Sequence, residues 1–348
     1  MRRLLYLGLA LSLVACGPPA AAVGPSSPGQ PAAHPTGAAM ASPGPARLGA
    51  EETTLGPGGM TLQQEIGAVM MVGFTGRLTP AVLDDWRQHQ FGGLIVVPIN
   101  QNAPDPTAIR QLIQSVRGVM AHPVLTATSQ EGGTVCFKES RVPCLAGARQ
   151  VGSQGPAAVQ SEMTSMSQGL KALGFDINFA PVADVWDGAH PLLRERSYGQ
   201  SPQVVGQDVT AATAGIHAAG IYAAAKHESA QPLQTQDLIP FQAAIAARVD
   251  FVSVSSADLR MLRTDLGYGG VIVSNDLQGA LAPELPPSAA AVRFLVNGGD
   301  MVIVSHEIAV ADATYDAIHT AVLDGTYPRA QLDASVQKLL GLGLRYMP

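Results

Sequence analysis

Seven points in this 348-residue chain, each where a short apolar run gives way to polar side chains, concentrate the groups able to do chemistry. They are Asn100; Ser129-Gln130-Glu131-Gly132-Gly133; Asp184 with Arg196 downstream; Lys226-His227-Glu228; Ser253 with Ser255; Asn275-Asp276; and Ser305-His306-Glu307. Gathered at one place, such a set offers hydrogen-bond donors, acceptors and both signs of charge, which suits a polyhydroxylated ligand. An isolated Ser or Asn at such a point more often caps the helix that follows. Two adjacent cations, as in Lys226-His227, are costly without partners and read as functional.

The elements that must position these groups repeat with a regular beat. Apolar runs occur at Val69–Phe74, Leu94–Pro98, Val124–Thr128, Phe175–Ala180, Ile221–Ala225, Phe251–Ser255, Val271–Ser274 and Met301–Ser305. Stretches of helical period separate them, among them Pro80–Gln90, Pro106–Met120, Pro156–Leu173, Ser201–Ala219, Ser288–Leu295 and Ala309–Leu323, and Arg329–Tyr346 closes the chain. Several begin with Pro or Ser-Pro, as the first helical turn prefers. Strands alternating with helices imply parallel βαβ units. Eight units predict an α/β fold of the (β/α)₈ TIM-barrel type, with the polar points at the C-terminal ends of its strands. No glycine-rich dinucleotide fingerprint follows the first run, which argues against an open nucleotide-binding sheet.

Composition narrows the partners. The chain is 47% hydrophobic and only 14% charged, with a net charge of −6. No basic stretch exists to meet phosphates, so nucleic acid is excluded as a partner. The acidity itself serves solubility. No cofactor is expected, and no metal site either, because His and Cys do not fall at ligand spacing.

Seven segments resemble glycoside hydrolase family 3, and they occur in the family's order. Met60-Thr61-Leu62 through Gly73-Phe74 and Phe91-Gly92-Gly93-Leu94-Ile95 resemble its opening. Gln130-Glu131-Gly132-Gly133 is similar to its D-Q-E-G-G turn, and Leu173-Gly174-Phe175 with Asn178-Phe179-Ala180-Pro181-Val182-Ala183-Asp184-Val185 to L-G-(I/F)-N-x-N-F-A-P-V-x-D-V. Arg196-Ser197-Tyr198-Gly199 matches R-S-(F/Y)-G, and Ala225-Lys226-His227 the start of A-K-H-F-P-G-H-G. Leu266-Gly267-Tyr268 through Ser274-Asn275-Asp276 resembles the nucleophile motif, and Asn297-Gly298-Gly299-Asp300-Met301 resembles A-G-x-D-M. With no second domain, the chain is similar to the single-barrel bacterial β-N-acetylhexosaminidase branch. That resemblance implies a retaining glycosidase, in which a carboxylate attacks the anomeric carbon and a second group protonates the leaving oxygen.

The resemblance breaks at the chemistry. Where the family motif S-D-D carries its nucleophile this chain has Asn275, an amide without the charge to attack or to stabilise an oxocarbenium-like transition state. Asp276 is expected not to substitute, since neighbouring residues on a strand point to opposite sides. The family's acid/base histidine loop is missing: Lys226-His227 runs on through Glu228-Ser229-Ala230-Gln231-Pro232. Ser129 stands where the family has a sugar-binding Asp, and Phe137 where it has an Arg. Arg196, Lys226 and His227 remain as residues that touch the sugar in the family. The pattern reads as a degenerate active site that binds an amino sugar or peptidoglycan fragment with catalysis impaired. Two alternatives stay open: an active glycosidase using Glu131, Asp184, Glu228 or Asp276, and a structural or interaction lipoprotein with no sugar ligand.

The N-terminal residues speak to location. Arg2-Arg3, the apolar run Leu4 to Val14, and Leu13-Val14-Ala15-Cys16-Gly17 resemble a bacterial lipoprotein signal, with residues 1–15 removed and Cys16 lipidated. Loss of the two arginines takes the net charge to about −8. Acyl chains on Cys16 would anchor the chain to a membrane of the cell envelope. Residues 16–59, rich in Pro, Ala, Gly and Ser, read as a disordered tether to a barrel spanning 60–348. Export permits a disulfide, and Cys136 with Cys144 is the expected pair.

Overall fold

A computed structural model describes residues 54–188, 190–226, 233, 235–279, 282 and 284–346. The export signal, Cys16 and the tether up to residue 53 lie outside the described residues, as do His227 and Glu228. Eight strands form a closed barrel in chain order: β1 Met70–Val72, β2 Gly93–Ile95, β3 Leu125–Thr128, β4 Ile177–Asn178, β5 Tyr222–Lys226, β6 Phe251–Val254, β7 Val271–Asp276 and β8 Met301–Val304. Every neighbouring pair is parallel, and β8 closes on β1. Each of the eight apolar runs of the sequence overlaps one strand. Their side chains are buried on both faces, which is why the runs lack polar alternation.

Helices cover the barrel: α1 Leu62–Ala68, α2 Pro80–His89, α3 Pro106–Arg117, α4 Ala148–Gly152, α5 Pro156–Leu173, α6 Pro202–Ala218, α7 Leu238–Ala246, α8 Pro287–Val296, α9 Ile308–Leu323 and α10 Arg329–Tyr346. Five of these, α2, α3, α5, α6 and α8, start on a proline: α2, α3 and α5 where the sequence predicts their start, α6 one residue after Ser201 and α8 one residue before Ser288. Thr61 and Gln64 cap α1 reciprocally, and Asp105 accepts the N–H groups of Thr107 and Ala108 at 2.8 and 2.9 Å to start α3. The sixth unit departs from the expected alternation. Between β6 and β7 the chain makes only one turn of π-helix, Met261–Asp265.

One device recurs at the N-terminal end of the barrel. An aspartate stands directly before β4, β6 and β8, and its carboxylate accepts a backbone N–H from the preceding strand. Asp176 takes Thr126 N–H at 2.9 Å, Asp250 takes Ala223 N–H at 3.0 Å, and Asp300 takes Ile272 N–H at 2.8 Å. Each acid also meets a cationic or imidazole side chain from outside the barrel: Arg117 at 2.7 Å, His217 at 2.7 Å, and both Arg263 and Lys338. These pins fix strand register at the face where barrels keep stability; function sits at the opposite face.

Candidate active site

The C-terminal ends of the strands surround a cavity of about 340 Å³. β3, β5, β6, β7 and β8 deliver Ser129, Lys226, Ser253, Asn275 with Asp276, and Ser305 with His306, and Arg196 reaches in from the loop after β4. Val97, Ile99 and Phe179 supply an apolar wall.

On one side the electrostatics centre on Glu131. Its carboxylate is 4% exposed and receives Arg196 as a fork, Nε to Oε2 at 2.8 Å and Nη2 to Oε1 at 2.7 Å. Lys226 Nζ pairs with the same Oε1 and lies 3.4 Å from Ser129 Oγ. Two cations thus share one anion in a largely dry setting, where charge-assisted hydrogen bonds are strong and hold both side chains rigid. Glu131 does not border the cavity. It is the counter-ion that aims the two cations. Asp184 is 1% exposed and does not border the cavity either, while its carbonyl accepts the Ser197 hydroxyl at 2.7 Å.

On the other side the alternation argument about Asp276 fails. β7 pairs with β8 through Val273↔Met301 and Asp276↔Ile303, so three steps on β7 match two on β8. The extra residue is a β-bulge, which re-aims side chains at a strand end. Asn275 and Asp276 consequently border the same cavity. Asn275 Oδ1 accepts the Ser253 hydroxyl at 3.2 Å. Asp276 Oδ1 accepts Gln278 N–H at 3.1 Å, and Oδ2 accepts the Ser305 hydroxyl at 2.5 Å.

His306 and Asn100 were legible only as polar strand-end residues, yet they form one unit. His306 Nδ1 lies 2.7 Å from Asn100 Oδ1, and its Nε2 lies 3.5 Å from Asp276 Oδ2. Gln278 Oε1 accepts the backbone N–H of His306 and of Glu307, at 2.9 and 3.2 Å, tying the β7 loop to the β8 loop.

The β3 loop carries the Cys136–Cys144 disulfide, with Cα atoms 5.7 Å apart. Phe137 is buried against Phe175, and its N–H donates to Gln130 Oε1 at 2.7 Å, so it secures the loop from behind and does not enter the cavity. Among the described residues, no group of three or more His, Cys, Asp or Glu side chains is placed to hold a metal ion, and no helix is long and apolar enough to cross a membrane.

Comparison with known proteins agrees with this geometry. The family model described as "Glycosyl hydrolase family 3 N terminal domain" matches residues 61–231 and 228–342. A β-hexosaminidase of Xanthomonas euvesicatoria is 26% identical over 311 residues, covering 76% of this chain and 92% of that protein. A family 3 β-N-acetylglucosaminidase structure from a Paenibacillus species is 28% identical with a TM-score of 0.76, over 82% of this chain. This chain spans 63% of the length of that protein. The β-N-acetylhexosaminidase structure from Beutenbergia cavernae shares the fold, with 24% identity, a TM-score of 0.71, and coverage of 81% of this chain and 98% of that one.

Proposed function

The chain belongs to glycosyl hydrolase family 3, and from that membership we propose that its barrel mouth binds an amino sugar or peptidoglycan fragment while hydrolysing glycosides far more slowly than an enzyme with an acid at position 275. The observation that carries this reading is an asymmetry in the cavity. The Arg196–Glu131–Lys226 assembly is fully built and presents cationic donors to a hydroxyl-rich ligand. Asn275, which stands where the family motif carries its nucleophile, borders the same cavity with a neutral amide. Binding groups are thus retained where the charge needed for the chemical step is not. β-Hexosaminidases and a β-N-acetylglucosaminidase stand among the similar proteins, which supports an amino sugar over other carbohydrates.

The reading places the protein in the cell envelope, lipid-anchored through Cys16 after an export signal. Metabolic labelling with a fatty acid would test the anchor: label should enter the wild-type chain and be lost in Cys16→Ser. The binding reading is tested with purified protein. N-acetylglucosamine should raise its unfolding temperature, as any ligand selective for the native state does. Absence of any stabilisation at saturating sugar sinks the proposal.

A further inference from the structure

His306 has its tautomer dictated by a neighbour. Asn100 Nδ2 donates to the Ser305 carbonyl at 2.6 Å, so the end of the amide that faces the imidazole is the oxygen, which only accepts. His306 Nδ1 therefore carries the hydrogen, and in the neutral ring Nε2 keeps a lone pair. That lone pair faces Asp276 Oδ2 across 3.5 Å. Two acceptors so placed repel unless a hydrogen lies between them. The gap is satisfied by an imidazolium, or by an O–H group brought to both atoms.

We propose that His306 is a general base that activates water at this mouth, with Asp276 as the residue that positions it. The inference rests on the amino-sugar reading above. Asn275 borders the same cavity and offers no attacking carboxylate, so the face of the anomeric carbon it underlies is open to water. As the water oxygen bonds to that carbon, its proton passes to His306 Nε2. The carbon–oxygen bond to the leaving group breaks, and its electron pair departs with the oxygen. An aryl oxide leaves as the anion. The Asp276 carboxylate, 3.5 Å from Nε2, stabilises the imidazolium until its proton returns to solvent. A single displacement of this kind inverts the anomeric carbon. Among the described residues the other ionisable groups bordering the cavity are Arg196 and Lys226, with Glu131 behind them; Glu307 follows His306 on its own loop.

The test is release of 4-nitrophenol from its β-N-acetylglucosaminide by the full chain, in the wild type, His306→Gln and Asp276→Asn, with unfolding temperature measured with and without N-acetylglucosamine. Slow turnover is expected in the wild type, falling about a hundredfold in His306→Gln while sugar still stabilises that variant. Asp276→Asn, which removes the charge that steadies the imidazolium, should lower kcat about tenfold with KM unchanged; this arm reads the pair even if His306→Gln does not fold. With methanol as acceptor, the methyl glycoside formed should be the α-anomer. An unchanged rate in His306→Gln, an unchanged kcat in Asp276→Asn, or a methyl β-glycoside overturns the base. Stabilisation by sugar with no turnover also overturns it and leaves the binding reading standing, whereas no stabilisation overturns the binding reading itself.

Discussion

Asn275 and an aspartate have nearly the same shape and differ by a unit of charge, so Asn275→Asp isolates the electrostatic deficit from everything else in the cavity. Against an aryl β-N-acetylglucosaminide the variant should gain about a hundredfold or more in kcat/KM, since 4-nitrophenolate departs without a proton donor. No gain would mean that charge is not what the site lacks. Lys226→Met reads the binding half of the cavity. It leaves Glu131 paired with Arg196 and removes a donor from the cavity wall, and sugar affinity measured by calorimetry should drop about tenfold. At this scale the sequence was a good guide to identity and a poor one to orientation. Motif order located Ser129, Arg196, Lys226 and Asn275, all of which border the cavity. It could not tell that Glu131 pairs with both cations, because that depends on an Arg 65 positions away. Nor could a two-residue period foresee the side on which Asp276 emerges.

At the scale of elements, the bulge in β7 and the three aspartate pins explain both that misreading and the barrel's register. The pins were visible in the sequence as an Asp at the start of three of the eight apolar runs, Asp250 and Asp300 directly before theirs and Asp176 second in its own. Their meaning was not, because the N–H that each accepts lies on another strand. Asp300 is the most heavily committed, with Ile272 N–H, Arg263, Lys338 and the Ser335 hydroxyl all on one 2% exposed carboxylate. Asp300→Ala strands two cations and a buried N–H, and should cost about 3–5 kcal/mol in denaturant unfolding. A loss under 1 kcal/mol would show the pin to be incidental. Helix starts were legible because proline marks them, but the missing helix between β6 and β7 was not: Ala257–Leu266 has helix-forming residues and forms a π-turn that lets Arg263 reach the Tyr268 and Gly270 carbonyls, both at 2.8 Å.

For the molecule as a whole, two buried acids tie stability to pH. Glu65 on α1 is fully buried; desolvation pushes it up to about 7, against the pull of Arg329 on α10, with which it is paired. Asp208 on α6 is pushed up to about 6 by burial, and neither carboxylate oxygen has a hydrogen-bond partner among the described residues. Both folded-state values lie above the unfolded ones, near 4. The stabilisation each supplies is therefore complete below about pH 4 and is lost as pH rises through 6 to 7. Asp208→Asn should be more stable than the wild type at pH 8 by about 2 kcal/mol, with the difference shrinking toward pH 4. Equal stability of the two proteins across that range would refute it.

The pins also partition the barrel. Each joins an odd strand to the even one after it, β3 to β4, β5 to β6 and β7 to β8, and β1–β2 alone lacks one among the described residues. The wall is thus assembled from two-strand staves, three of them riveted. A circular permutant opened in the β2–β3 connection keeps every rivet within a continuous stretch of chain. One opened between β7 and β8 sends Asp300 to one end of the chain and Ile272 to the other, and should refold more slowly.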